Sequence, residues 1–131
     1  MVKRFGLGRR EKLKSRKEIE MLFTEGQTIA FTPLRVLYRF SPAPGRANMK
    51  IAVSASKRNF KKAVDRNRIK RLIREAYRQQ KESLLNLTRE QQLEGMAFFM
   101  FTNKSIPNFE TVKTAMASIL QKMEQQISGA K

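Results

Sequence analysis

The chain has 131 residues, enough for one domain with its own core, and 28 Lys/Arg against 11 Asp/Glu give it a net charge of +17. Having neither Cys nor His, it has no disulfide framework, no thiol chemistry and no ordinary zinc ligands. Self-repulsion at that charge destabilises a compact state unless a polyanion relieves it. Nucleic acid fits better than an anionic membrane surface, because the basic segments lack a long, strongly apolar face.

Residues 1–14 are basic, with Lys3, Arg4, Arg9, Arg10, Lys12 and Lys14 around Gly6 and Gly8, and read as a tail. They predict a flexible arm over about 1–12 and, without an apolar core, no secretory signal. No apolar run reaches membrane-span length, so a cytoplasmic protein is expected. Ser15-Arg16-Lys17-Glu18 reads as a capping box. Ile19, Leu22 and Phe23 form an apolar stripe, and Gly26 suits a C′ position, giving a first helix over about 16–25.

Residues 28–31 can add a short strand. After Pro33, the spacing of Leu34, Val36, Tyr38 and Phe40 has a two-residue period and predicts a strand. Ser41-Pro42-Ala43-Pro44-Gly45 is a loop by composition. Met49, Ile51, Val53 and Ala55 mark the next strand.

The segment Lys57–Arg78 carries ten Lys/Arg and two acids. Ile69, Leu72, Ile73, Ala76 and Tyr77 recur at i, i+3, i+4, i+7 and i+8, so a helix over about 61–82 buries that stripe. Tyr77 is expected at its edge with the hydroxyl exposed. Arg66, Lys70, Arg74 and Arg78 step by four beside the stripe, with Asn67 and Arg71 on the same flank. A helix of this kind is suited to a phosphate backbone. Residues 83–94 read as a polar connection with one helical turn after Thr88. Met96–Phe101 is a continuous apolar run, which suits a strand covered on both faces. Asn108 can cap a last helix, with Phe109, Val112, Met116, Ile119, Leu120, Met123 and Ile127 as its buried stripe, and a short tail follows at about 128–131.

The order αβββαβα in a single domain predicts an α+β sandwich, one mixed sheet with helices against it. A strand, helix and strand in succession make the strands near 50–55 and 96–102 parallel. Catalytic residues are hard to find. Asp65 is the single aspartate, and the glutamates are scattered among basic residues. Asp65 serves more simply to support the first turn of its helix. A metal-dependent nuclease gathers carboxylates, and a metal-free one usually needs histidine as acid or base. A phosphate-binding GxxxxGK[ST] loop is also missing. No protein-bound metal or cofactor is therefore expected.

One run is more specific than basic bias. Ala63-Val64-Asp65-Arg66-Asn67-Arg68-Ile69-Lys70-Arg71-Leu72-Ile73-Arg74-Glu75 resembles the signature AVxRNxxKRxxRE of the bacterial ribonuclease P protein family. Ser54-Ala55-Ser56-Lys57-Arg58 resembles the family's element before that helix, and Phe23 followed by Gly26 resembles its upstream helix end. The resemblance spans about residues 10–127. It implies a subunit of an endoribonuclease that removes the 5′ leader of precursor tRNA, with an RNA subunit and Mg2+ performing the hydrolysis. The protein alone would be inactive, and its partners would be the catalytic RNA and the leader, with no membrane and no further protein required. It also implies a left-handed βαβ crossover, against the general preference for the right hand.

On this resemblance, Arg66, Asn67, Arg68, Lys70, Arg71 and Arg74 are candidates for contact with the catalytic RNA. Arg and Lys neutralise phosphates, and Asn offers a donor and an acceptor. Lys57, Arg58, Lys61 and Lys62 form a second basic group before the helix. Phe23, Tyr38 and Ser54, with Ile19 where the family often has an aromatic, are candidates for a cleft that stacks the single-stranded leader. The competing reading is a ribosomal or assembly-type RNA-binding protein without a nuclease.

Overall fold

The computed structural model describes residues 12–128. In chain order these form α1 (Arg16–Glu25), β1 (Gln27–Phe31), β2 (Leu34–Pro42), β3 (Asn48–Ser54), α2 (Ala63–Gln80), α3 (Glu82–Glu90), β4 (Leu93–Phe101) and α4 (Phe109–Ser128). The fold is α+β, and the expected order holds with one addition. The connection after α2 is itself a helix, α3, separated from α2 only at Lys81. Its signal was present: Leu84, Leu87 and Thr88 follow helical spacing, and Leu84 and Thr88 are buried. The expected basic arm, apart from Lys12, and the last three residues of the tail lie outside the described residues.

The four strands form one mixed sheet in the order β1-β2-β4-β3. β1 pairs with β2 and β2 with β4 antiparallel, whereas β3 runs parallel to β4 as the spacing predicts. Successive side chains of a strand point to opposite faces, and that alternation divides the molecule. Leu34, Val36 and Tyr38 of β2 lie on the face covered by α2, α3 and α4. There they join Met49, Ile51, Ala97 and Phe99 and the apolar stripes of those helices in the main core. Each Val, Leu, Ile, Phe or Met side chain among them, when fully buried, contributes about 1.5–3 kcal/mol against exposure. On the other face, α1 lays Leu22 over Leu37 and Met96, with Leu13 completing a smaller core.

Local chemistry sets the helix ends. Ser15 Oγ accepts the Glu18 N–H at 3.3 Å, half of the expected capping box. Asn108 Oδ1 accepts the Thr111 N–H at 2.9 Å and starts α4. Gly26 ends α1, but its φ of −77° is not left-handed. Glycine is needed there for another reason: a Cβ would lie 2.5 Å from Leu22 O.

Two burial expectations change. Tyr77 is wholly buried, its ring 6.1 Å from that of Phe99, and so is not an edge residue. The run Met96–Phe101 is not covered equally on both sides, since Phe98 and Met100 are only half-buried. One short helix cannot roof the face that three helices roof on the other side.

Candidate nucleic-acid interface

α2 anchors itself through Ile69, Ile73, Ala76 and Tyr77. That burial fixes which cations face water. Asn67, Arg68, Arg71 and Arg74 are exposed, while Arg66, Lys70 and Arg78 are half-buried. The four-step ridge read from the sequence is therefore not the exposed line, which runs through Asn67, Arg71 and Arg74. For Arg66 and Arg78 the reason lies in individual contacts. Arg66 Nη1 donates to Phe60 O at 2.8 Å and Lys61 O at 2.9 Å, turning the guanidinium back onto the loop before the helix. Arg78 is engaged with Glu75, through Nε to Oε1 at 2.9 Å and through Nη2 to Oε2. These bonds, with one from Gln79 at 2.8 Å, hold the Glu75 carboxyl below the usual carboxylate range.

The basic segment before α2 is also open. Lys57, Arg58, Lys61 and Lys62 are all exposed, and Lys62 occupies the N-cap without making a side-chain cap. Asp65 in the first turn is the acid that complements the helix dipole there. Cations at this positive end raise the local potential and favour an external anion.

The proposed aromatic cleft is divided by the sheet. Phe23 is 58% exposed, and its ring meets Phe98 edge-on with centroids 5.7 Å apart. Ile19 packs on the same smaller core. Ser54 lies two residues beyond Ala52, so the strand period puts it on that α1 face as well. Tyr38 does not join them. It points to the opposite face, is 3% exposed, and donates its hydroxyl to Gln27 Oε1 at 2.9 Å. Burial pushes its phenol pKa up. An alternating strand offers a residue to one face or the other, and Tyr38 shares parity with core Leu34 and Val36. The aromatic that meets Phe23 on the α1 face is instead Phe98, read from the sequence only as core. A continuous apolar run hides which of its residues stay half-open.

Salt bridges neutralise one part of the α1 face. Lys50 Nζ lies 3.4 Å from Glu18 Oε2 and 3.7 Å from Glu94 Oε2, and Arg39 Nη1 lies 3.3 Å from Glu25 Oε1. Among the described residues, no group of three or more His, Cys, Asp or Glu is placed to hold a metal ion. No helix among them is long and apolar enough to cross a membrane.

The exposed Arg/Asn face of α2 thus continues into the basic loop at its start, and Phe23 of α1 meets Phe98 of β4 on the other side of the sheet. The family profile described as Ribonuclease P matches residues 7–124. The chain belongs to the ribonuclease P family. The "Ribonuclease P protein component" of Porphyromonas gingivalis is 41% identical over 116 residues, 88% of this chain and 85% of that protein. The fold is that of the RNase P protein from Staphylococcus aureus, with a TM-score of 0.64 at 18% identity over 86% of this chain and 94% of that one. The RNase P protein from Thermotoga maritima also has a TM-score of 0.64, at 22% identity over 86% and 97%.

Proposed function

We propose that the chain is the protein subunit of a ribonuclease P holoenzyme, acting in tRNA 5′ processing with a catalytic RNA that performs the hydrolysis with Mg2+. The observation that carries this reading is the exposed Asn67–Arg68–Arg71–Arg74 face within a family-matched chain. Phosphate contacts from such a face supply affinity and position an RNA without requiring chemistry from the protein. That the chain brings no histidine, and no clustered carboxylates among its described residues, supports the reading that the RNA partner performs the reaction.

In this reading α2 and the basic loop before it grip the catalytic RNA. The α1 face receives the 5′ leader, with bases stacking on Phe23 and Phe98 and passing Ile19 and Ser54. Base–aromatic stacking contributes about 1–3 kcal/mol per base and tolerates any base, as a subunit serving many tRNA precursors requires.

The test is reconstitution. The protein, its cognate RNA subunit and Mg2+ should release the 5′ leader from precursor tRNA at Mg2+ concentrations where the RNA alone is slow. The protein alone should release none. Leader release that persists in RNA-free protein and tracks with its folding would overturn the division of labour. An RNA subunit whose cleavage is unaffected by the protein would favour the assembly-type alternative.

A further inference from the structure

The outer edge of β3 is not bare. Lys12 forms a parallel bridge with Ile51, and the Leu13 N–H donates to Ile51 O at 2.8 Å. Residues 12–13 thus dock on the sheet edge through a single bridge. Leu13 anchors them, at 4% exposure, in the smaller core with Leu22, Leu37 and Met96. Side chains alternate along extended chain. With Leu13 turned to the α1 face, Lys12 and Lys14 turn to the face that carries α2.

There they line a groove of about 690 Å3 with Ile51 and Val53 of β3 and Arg71, Arg74 and Arg78 of α2. Its acid, Glu75, is already engaged by Arg78 and Gln79. Among the described residues, no salt bridge engages Lys12, Lys14, Arg71 or Arg74, and all four are exposed. Two cationic walls facing one another repel, and an anion between them converts that repulsion into attraction to both.

We infer that one strand of the catalytic RNA lies in this groove, its phosphates held between Lys12 and Lys14 on one wall and Arg71 and Arg74 on the other. The N-terminal segment and α2, distant in sequence, then clamp the same stretch of backbone. This rests on the proposed role of α2 as the RNA-subunit contact and goes beyond it by assigning a second wall. The groove continues the Asn67–Arg71–Arg74 line, whereas Phe23 and Phe98 lie across the sheet. Hence the strand in the groove belongs to the catalytic RNA and not to the leader.

The test uses the full chain and its cognate RNA subunit. Lys12→Ala/Lys14→Ala keeps the Leu13 anchor, so its melting temperature should stay that of the wild type. Losing two phosphate contacts should lower the slope of log affinity against log salt by about 1.4–1.8, and weaken binding about 10- to 30-fold near 150 mM salt. A charge-matched control, Arg89→Ala/Lys122→Ala, removes two exposed cations outside the groove and should bind nearly as the wild type does. Binding of the RNA subunit should also slow hydrogen exchange at the Leu13 amide, which reports docking of the segment on β3.

If the lysine variant matches the control while Arg71→Ala/Arg74→Ala binds weakly, the second wall is refuted and the α2 reading survives. If both variants bind normally, the α2 reading fails as well. If the lysine variant assembles normally but the holoenzyme loses affinity for precursor tRNA and not for mature tRNA, the groove holds the leader and the inference is wrong.

Discussion

Arg66 belongs to the motif that singles out α2, yet the structure gives it an internal task. Its Nη1 bonds Phe60 O and Lys61 O, closing the loop that carries Lys57, Arg58, Lys61 and Lys62 onto the helix. Hydrogen bonds to a charged group contribute about 1.5–3 kcal/mol when well buried. Here one bond is part-buried and the other exposed, so water can replace much of what is lost. Arg66→Ala is therefore expected to destabilise the fold by about 1–2 kcal/mol, a fall in melting temperature of roughly 4–8 °C for a domain of this size. Arg66→Lys keeps the charge, but its ammonium ends one bond short of the position from which Nη1 reaches both carbonyls and is more strongly hydrated. It should recover little of the stability, which separates the hydrogen bonds from the charge. Amide exchange at Phe60, whose N–H bonds Ser56 O at 3.0 Å within that loop, should quicken in both variants. An Arg66→Ala protein with unchanged melting and unchanged Phe60 exchange would show that the two contacts hold nothing. Arg66 would then return to the set of simple phosphate contacts.

Ile73→Ala, at a wholly buried site, should cost about 2–5 kcal/mol in denaturant unfolding; Leu72→Ala, half-buried, should cost less. Phe23→Ala should leave folding nearly intact and weaken binding of precursor tRNA more than of mature tRNA. Tyr38→Ala should instead destabilise by roughly 3–5 kcal/mol, as for other buried aromatics, and lower both affinities alike; selective loss with Tyr38→Ala would contradict its buried placement. The Glu75 carboxyl is held low by Arg78 and Gln79. Its stabilising contribution is therefore present above the unfolded carboxylate pKa of about 4.3 and lost as pH falls through the lower folded value. The pair is partly exposed, which keeps the effect small. Acid unfolding of Glu75→Gln should be slightly less steep than that of the wild type, and a steeper curve would contradict the direction.

Much of the fold was legible because each element carried its own period. The alternation Leu34-Val36-Tyr38 predicts a strand, and Ile69-Ile73-Ala76-Tyr77 predicts a buried helix stripe. Ser15 and Asn108 act at helix starts as local hydrogen-bonding dictates. The chain's character as a binder of polyanions was legible as well. Charge, the lack of histidine and the fixed spacing around Arg66-Asn67-Arg68 are properties of the sequence itself, and they lead to the family. Helix α3 was also written there, in Leu84, Leu87 and Thr88, beneath a polar composition that obscured it.

What only the tertiary structure decided was sidedness. A strand's period says which residues share a face, but not which face a neighbouring helix will cover. Tyr38 and Phe23 were therefore grouped by type and then separated by the sheet, and Phe98 emerged from an apolar run as the open partner of Phe23. Cations behave in the same way. Helical spacing sets Arg66 and Arg74 on one ridge, yet nearby carbonyls draw Arg66 inward and leave Arg74 to solvent. Lys12 and Lys14 read as tail until the Leu13–Ile51 hydrogen bond brings them opposite Arg71 and Arg74. Pairing between distant segments depends on the closed fold, and no local pattern encodes which charges it will bring face to face.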